Sequence, residues 1–223
     1  MGEAQIFTFF RQLPAFSQAD NATLELLARN AVHYSYKPDE VIFWEGEQPS
    51  GLIILEKGSV KAFKTSTDGQ EYIWRIFGPG DMINLLASLD NQPNVANTLA
   101  VTVTEAWMIP VDIFKQVLQN DLPLNRAMIE KLVKQSRELV NQLEDLALRP
   151  ITSRLARFLL EQINQPSLSH PAITRVMVAN HLATTPESIS RSLRHLETAG
   201  AIQFNRHRIV IVNLEILRGI AQL

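Results

Sequence analysis

The chain has 223 residues, 46% of them hydrophobic and 20% charged, which supports one large or two modest folded domains and excludes disordered and low-complexity proteins. It contains no cysteine, so a disulfide framework, a thiolate zinc site, a cysteine nucleophile and a cysteine-held iron–sulfur cluster are excluded. The formal net charge of −2 hides an uneven distribution, because residues 1–148 carry 12 Lys and Arg against 19 Asp and Glu, whereas residues 149–223 carry nine Arg against four Glu.

The charge distribution predicts that the C-terminal part meets a polyanion, with a chance excess on a solvated surface as the alternative. The start of the sequence lacks a basic secretion signal. The longest uncharged stretch, residues 91–104, is too short and too polar to cross a bilayer. We therefore predict a soluble, cytoplasmic protein that does not enter a membrane.

One helix and a series of short strands are predicted in the first half of the chain. Residues 21–31 have helical spacing, and five strand-like runs follow. Asp68-Gly69 is a hairpin signal, because glycine accepts the positive φ of a tight turn. Many short strands at close spacing predict a sandwich or a rolled barrel. The runs are 41–44, 52–55, 60–65, 72–77 and 99–104.

Residues 122–146 have the alternating three- and four-residue apolar spacing of a coiled-coil seam. About three heptads need a partner helix, so we predict a homodimer; the alternative is a helix packed on its own domain. Arg149-Pro150 ends this helix and predicts a domain boundary. The predicted dimerisation residues are Ile129, Leu132, Ser136, Leu139, Leu143 and Leu146.

The last third of the chain predicts a winged helix-turn-helix. An amphipathic helix at 151–163 precedes two further helices at 175–182 and 186–198, which are joined by a three-residue turn. Thr185 is a natural N-cap, and Pro186 suits the first helical position. Two short strands, at 201–204 and 209–212, then flank a basic hairpin tip.

The helix at 186–198 has one apolar face and one face suited to DNA. The polar face carries carboxylate, hydroxyl and guanidinium groups, which supply an acceptor for cytosine N4 and a bidentate donor for guanine O6 and N7. Arginines at the wing tip and at the start of the preceding helix suit phosphate contacts. A solvated helix face is the alternative for each residue alone. The predicted DNA-binding residues are Arg175, Thr185, Glu187, Ser188, Ser190, Arg191, Arg194, Arg206 and Arg208.

Three motifs also connect the sequence with a known family. They are Glu45-Gly46-Glu47 with the later Gly58, the turn Gly78-Pro79-Gly80-Asp81, and Ile173-Thr174-Arg175 followed by Pro186-Glu187-Ser188-Ile189-Ser190-Arg191. In these motifs, and over nearly its whole length, the chain resembles the Crp/Fnr superfamily of bacterial transcription regulators. The resemblance implies an α+β fold with three parts: a jelly-roll-like sensor β-roll of the cyclic-nucleotide-binding type (1–118), a long dimerisation helix (119–148) and a winged helix-turn-helix (149–223). It also implies RNA polymerase as a partner, and a Fnr-type reading helix for a half-site that resembles TTGAT.

The sequence departs from the cyclic-nucleotide binders of this fold. Those proteins hold the nucleotide with a Gly-Glu pair and an Arg followed by Ser or Thr, and the corresponding positions here are Asn84-Leu85 and Asn94-Val95. A buried phosphodiester would lose its guanidinium partner, and the ribose hydroxyl would lose its glutamate. We therefore predict that cyclic AMP is not the effector.

Around Pro93-Asn94-Val95-Ala96 and Pro186-Glu187 the chain is similar to the nitrogen-oxide-responsive branch, which is associated with haem. Haem needs an axial ligand, and His33 is the single histidine of residues 1–148. His33 is thus the one imidazole candidate, with an ordinary surface or strand residue as the alternative. A small apolar effector, or none, also stays open.

The leading hypothesis is a homodimer that places two reading helices in successive major grooves of double-stranded DNA, about 34–36 Å apart, on a pseudo-palindrome. One alternative is a haem-dependent nitric oxide or redox sensor of the same architecture. Another is a protein-interaction module without DNA binding. The sequence has no Walker loop, Gly-x-Ser-x-Gly, His-Glu-x-x-His or glycine-rich dinucleotide turn, so we do not predict an enzyme.

Overall fold

The structure is a computed structural model that describes residues 2–164, 174–205 and 209–222. The predicted wing-tip residues Arg206 and Arg208 lie outside this part of the chain. Within the described residues, no helix is long and apolar enough to cross a membrane. The elements in chain order are α1 (Glu3–Gln12), α2 (Asn21–Asn30), β1 (Val32–Tyr36), β2 (Val41–Phe43), β3 (Gly51–Lys57), β4 (Val60–Thr65), β5 (Glu71–Phe77), β6 (Met82–Ile83), α3 (Leu85–Asp90), β7 (Asn97–Ala100), β8 (Thr104–Pro110), α4 (Val111–Asn120), α5 (Leu122–Leu148), α6 (Ile151–Asn164), α7 (Arg175–His181), α8 (Pro186–Thr198), β9 (Ile202–Phe204), β10 (Ile209–Ile211) and α9 (Leu214–Ala221).

The chain forms two compact units, residues 1–60 with 77–140 and residues 61–76 with 141–223. The first unit contains an antiparallel sheet in the order β1-β8-β3-β6, in which Ile53 lies between Met108 and Ile83 on the neighbouring strands. Strand β2 pairs with β7, with Val41 opposite Leu99. One core joins this sheet to the helices, because α1, α2, α4 and α5 all contribute buried apolar side chains to it.

The predicted strand at 99–104 is wrong, because the chain bends between β7 and β8. The Val101 N–H donates to the Ser59 carbonyl at 2.8 Å, and the Ser59 N–H donates to Thr102 Oγ1 at 2.9 Å. Gly58 allows this close approach, since a Cβ there would lie 2.5 Å from the Val103 carbonyl oxygen and its φ is +90°. Contacts with a distant loop thus override the local strand pattern.

The second unit contains the β4–β5 hairpin and the chain from residue 141 onward. The hairpin turn predicted at Asp68-Gly69 is confirmed, because Gly69 has φ +84° and the Ser66 N–H donates to the Gln70 carbonyl at 2.9 Å. Helices α6, α7, α8 and α9 share one apolar core with β9. Strands β9 and β10 pair antiparallel, with Ile202 opposite Ile211. These elements confirm the predicted helix-turn-helix with a two-stranded wing.

A charge network closes the bend between α5 and α6. Asp145 lies 2.7 Å from Arg149 Nε and 3.1 Å from Arg157 Nε, while Arg149 also reaches Glu144 at 3.0 Å. The side chains of Asp145, Arg149 and Arg157 are mostly buried, with exposed fractions of 21%, 15% and 17%. The network therefore fixes the end of α5 against α6, beside the Arg149-Pro150 step.

Candidate nucleic-acid interface

Helix α8 turns one side into the core of the second unit and the other toward solvent. Ile189, Leu193 and Leu196 are buried, whereas Arg191 and Arg194 are exposed. The apolar side chains recur at helical spacing, so their burial fixes the rotation of the helix about its axis. The predicted division of this helix into a core face and an open face is confirmed.

The turn before α8 is held by local hydrogen bonds. Ala183 has φ +48°, and the Thr184 N–H donates to the Ala179 carbonyl at 2.9 Å. The Thr185 side chain accepts from the Ser188 N–H at 3.3 Å, which makes it the N-cap of α8, and Pro186 takes the first turn. The Ser188 N–H has no partner within the helix, so its hydrogen bond to Thr185 fixes where α8 begins.

Polar groups at the start of α8 are linked to one another. Arg191 Nη2 donates to Ser188 Oγ at 3.0 Å, and the Thr185 hydroxyl oxygen lies 3.2 Å from the same atom. Hydrogen bonds from its own backbone N–H and from the Thr185 hydroxyl, together with the nearby Arg191 charge, hold the pKa of Glu187 below its usual value. A carboxylate acceptor and an oriented guanidinium donor thus stand side by side on an open helix end.

The two remaining serines of α8 have different surroundings. The Ser190 hydroxyl is half-buried and donates to the Pro186 carbonyl at 2.9 Å, so its hydrogen is engaged within the helix. Ser192 is buried and accepts from the Thr152 hydroxyl at 3.0 Å, which ties α8 to α6. Sequence reasoning missed Ser192, because its partner lies 40 residues away.

Arg175, predicted to contact phosphate, connects the first helix of the motif with the wing. Its Nη2 donates to the Asn205 carbonyl at 3.1 Å, and its guanidinium lies 5.7 Å from the centre of the Phe204 ring. The Phe204 N–H in turn donates to Glu197 Oε1 on α8 at 3.2 Å. Arg175 remains exposed, so one side chain presents a positive charge and braces the base of the wing.

Helix α5 begins in the core of the first unit and ends with an exposed apolar stripe. Its early residues Leu124 and Met128 are buried, and Leu132 packs partly against the same core. The other apolar residues of the predicted seam are exposed, as are two valines that sequence reasoning missed. The exposed set is Ile129, Val133, Leu139, Val140, Leu143 and Leu146, and Ser136 is exposed beside them.

The two asparagines at the nucleotide-binding positions make structural contacts. Asn94 is buried, its Nδ2 donates to the Trp44 carbonyl at 3.2 Å, and its backbone exchanges hydrogen bonds with Gly46 and Glu47. Asn84 has φ +65° at the N-cap of α3. Neither side chain carries a charge that a phosphate requires.

His33 has surroundings that do not suit a haem ligand. It is exposed on β1, its Nε2 lies 3.2 Å from Glu105 and 3.8 Å from Glu56, and its ring packs 4.6 Å from Trp107. Two carboxylates surround the nitrogen that an iron would need. Among the described residues, no group of three or more His, Asp or Glu side chains has an arrangement that could hold a metal ion. The surroundings of His33 therefore do not fit those of a haem ligand.

Two family models match separate parts of the chain. Residues 34–121 match the family model of the cyclic nucleotide-binding domain, and residues 153–220 match the Crp-like helix-turn-helix domain. The chain is 22% identical, over 90% of its length and 92% of the relative, to a CRP-like cAMP-activated global transcriptional regulator of Mycobacterium tuberculosis. It is 25% identical, over 85% of its length and 93% of the relative, to the cAMP-activated global transcriptional regulator CRP of Salmonella typhimurium.

Solved structures show the same fold. FixK2 from Bradyrhizobium japonicum superposes with a TM-score of 0.76 at 24% identity, covering 85% of this chain and 96% of that one. A CRP/FNR-family transcriptional regulator from Thermus thermophilus gives a TM-score of 0.71 at 20% identity, covering 86% and 99%.

Proposed function

Since the chain belongs to the Crp/Fnr superfamily of transcription regulators, we propose that it is a homodimer that binds a pseudo-palindromic, TTGAT-like DNA site through α8. One observation carries this proposal: Glu187 and Arg191 are exposed and oriented at the capped end of α8, while the opposite face of that helix is buried. An ionised carboxylate and a guanidinium match cytosine and guanine edges in the major groove. Cytoplasmic location and contact with RNA polymerase belong to the same proposal.

The exposed stripe of α5 supports the dimer. Together with Ser136, the positions 129, 133, 139, 143 and 146 repeat at intervals of three and four residues, and large apolar side chains in such a row are typical of a helix that pairs with a second copy. Two copies related by a two-fold axis present two α8 helices, and each then meets one half-site. In this proposal Arg175, with Arg206 and Arg208 of the wing, contacts phosphate.

DNA binding is tested with a fluorescent duplex that carries a TTGAT palindrome and a scrambled duplex of equal length. Arg191→Ala should cost about 1–3 kcal/mol, or roughly fivefold to 150-fold, for each half-site, and twice that free energy for the dimer on the palindrome; affinity for the scrambled duplex should not change in this way. Arg126→Ala, which removes an exposed arginine of α5, is the matched control and should keep wild-type affinity. Equal affinity of wild type and Arg191→Ala for both duplexes would contradict the assignment.

Salt dependence separates DNA binding from a protein-interaction module. A protein that neutralises several phosphates shows a steep linear fall of log affinity with log salt concentration. We expect that fall for both duplexes. A flat dependence would favour the protein-interaction alternative.

We also propose that cyclic AMP is not the effector. Asn94 is buried and engaged with the Trp44 carbonyl, and neither it nor Asn84 offers a charge to a cyclic phosphate. The relatives that are named as cAMP-activated are 22–25% identical to this chain. Calorimetric titration with cyclic AMP should give no binding heat and no change in DNA affinity. Saturable binding would overturn this part of the proposal.

A further inference from the structure

A hydrogen bond joins the β4–β5 hairpin to the helix-turn-helix. His181 Nδ1, at the end of α7, lies 2.9 Å from the Ile73 carbonyl oxygen on β5. A carbonyl oxygen can only accept, so this nitrogen carries the proton and donates it. The two residues are 108 positions apart, and they fall in the two parts of the chain that match different family models, residues 34–121 and 153–220. The bond therefore connects the cyclic nucleotide-binding part of the chain with the helix-turn-helix part.

Apolar and aromatic neighbours enclose this bond. The Ile73 side chain is fully buried, and the His181 ring lies 5.5 Å from the Phe158 ring of α6, measured between their centres. Tyr72, which precedes Ile73, and Leu182, which follows His181, line the same cleft as these two rings. A carbonyl group in such surroundings is costly to leave without a donor. The bond therefore holds the end of α7 against β5.

The helix-turn-helix is thus attached at two separate places. The first is the bend between α5 and α6, where Asp145 pairs with Arg149 and Arg157. The second is the bond from α7 to the hairpin. A body that is held at one place can still rotate about it, whereas a second attachment elsewhere removes that freedom. Because α7 and α8 share one apolar core, the orientation of α8 is fixed together with that of α7.

We propose that His181 is a positioning residue that sets the spacing at which the protein accepts two DNA half-sites. This inference rests on the proposed function, in which each copy of a dimer offers one α8 to one half-site. One added base pair between the half-sites moves one away from the other by about 3.4 Å and rotates it by about 35°. An α8 that is held at both attachments cannot follow this shift, so base contacts at one half-site are lost. An α8 that is released from the hairpin can follow it, and the selectivity for spacing decreases.

The test uses the full-length protein and two duplexes. One is the TTGAT palindrome with its half-site centres one helical turn apart, and the other carries one extra base pair at the centre. The measured quantity is the ratio of the two affinities, which should be about tenfold or more for the wild type, because the loss of a bidentate base contact costs roughly fivefold to 150-fold. His181→Phe keeps a ring beside Phe158 but removes the donor. It should lower the ratio to about threefold or less, since a mobile α8 recovers the contact on either duplex.

His181→Asn is the rescue variant, because its amide places an N–H donor where Nδ1 stands, and it should restore the wild-type ratio. His33→Phe makes the same change at an exposed histidine of β1 and, as the matched control, should leave the ratio unchanged. Circular dichroism shows whether each variant is folded, and His181→Ala takes the place of the Phe variant if that one is not.

A wild-type ratio in the folded variant that lacks the donor would overturn the inference and leave the DNA proposal intact. Equal affinity of the wild type for the two palindromes would overturn it as well. A wild type that binds neither duplex would instead contradict the proposed function, and the inference with it.

Discussion

Leu143→Asp is expected to separate the two copies of the dimer without unfolding either. Leu143 is 65% exposed in the single chain, so an aspartate there stays in water and changes the free energy of unfolding of the isolated chain by no more than about 0.5 kcal/mol. In the proposed dimer the same leucine would be buried against its counterpart. Full burial of a leucine contributes about 1.5–3 kcal/mol, and 65% of that for each of two copies gives about 2–4 kcal/mol.

This loss corresponds to a dissociation constant roughly 30-fold to 1000-fold higher. Repulsion between two carboxylates brought together by the symmetry would add to it. Sedimentation equilibrium over a range of protein concentrations measures the constant directly. Asn141→Asp is the matched control, because it introduces the same charge two residues away, about 200° around the helix.

The control should keep the wild-type dissociation constant, and circular dichroism should show both variants folded. A dimer of unchanged stability in Leu143→Asp would refute the assignment of this stripe to the interface. A wild type that sediments as a monomer at every concentration would refute it more simply.

Three further results are expected. Thr185→Ala removes the N-cap of α8 and should lower the free energy of unfolding in urea by about 1 kcal/mol, whereas Thr198→Ala, at the exposed end of the same helix, should change it little. Burial lowers the pKa of His181 below its usual value of 6.5. As the pH falls below about 6.5, His181 is therefore protonated in the unfolded chain but stays neutral in the folded chain. The free energy of unfolding should therefore decrease from pH 7 to pH 5, and His181→Gln should make that decrease shallower; an identical pH profile would contradict the burial. Arg175→Gln should reduce the salt slope of DNA binding by about 2 per dimer and leave the base preference unchanged, and a change in base preference would argue against a phosphate contact.

The elements with periodic apolar residues and clear caps were predictable from the sequence. Helix α8 runs over the predicted range, and α5 extends two residues beyond the predicted 122–146. Helices α1, α3, α4 and α9 were not predicted. Helix α3 has only six residues and starts from a non-glycine residue in the left-handed region, and α4 follows β8 directly at Pro110. Such short or abrupt elements depend on packing that local spacing does not encode.

The candidate interface shows the same limit. The exposure of Arg191 follows from helical spacing alone, so it could be predicted from the sequence. The buried environment of His181 could not be predicted in this way, because its hydrogen-bond partner Ile73 is 108 residues away in the chain. A neighbour that is distant in the sequence therefore decides the environment of His181.

Salt is expected to act differently on the charge network around Asp145 and on the proposed contacts with DNA. Ions in solution screen exposed charges over about 10 Å at 0.1 M salt and act much less on enclosed pairs. Contacts to phosphate weaken steeply over the same range. Rising salt concentration should therefore dissociate the protein from its DNA site while the bend at Pro150 keeps its structure. When the salt is diluted, the complex should form again at the rate of bimolecular association, because no slow refolding step is needed.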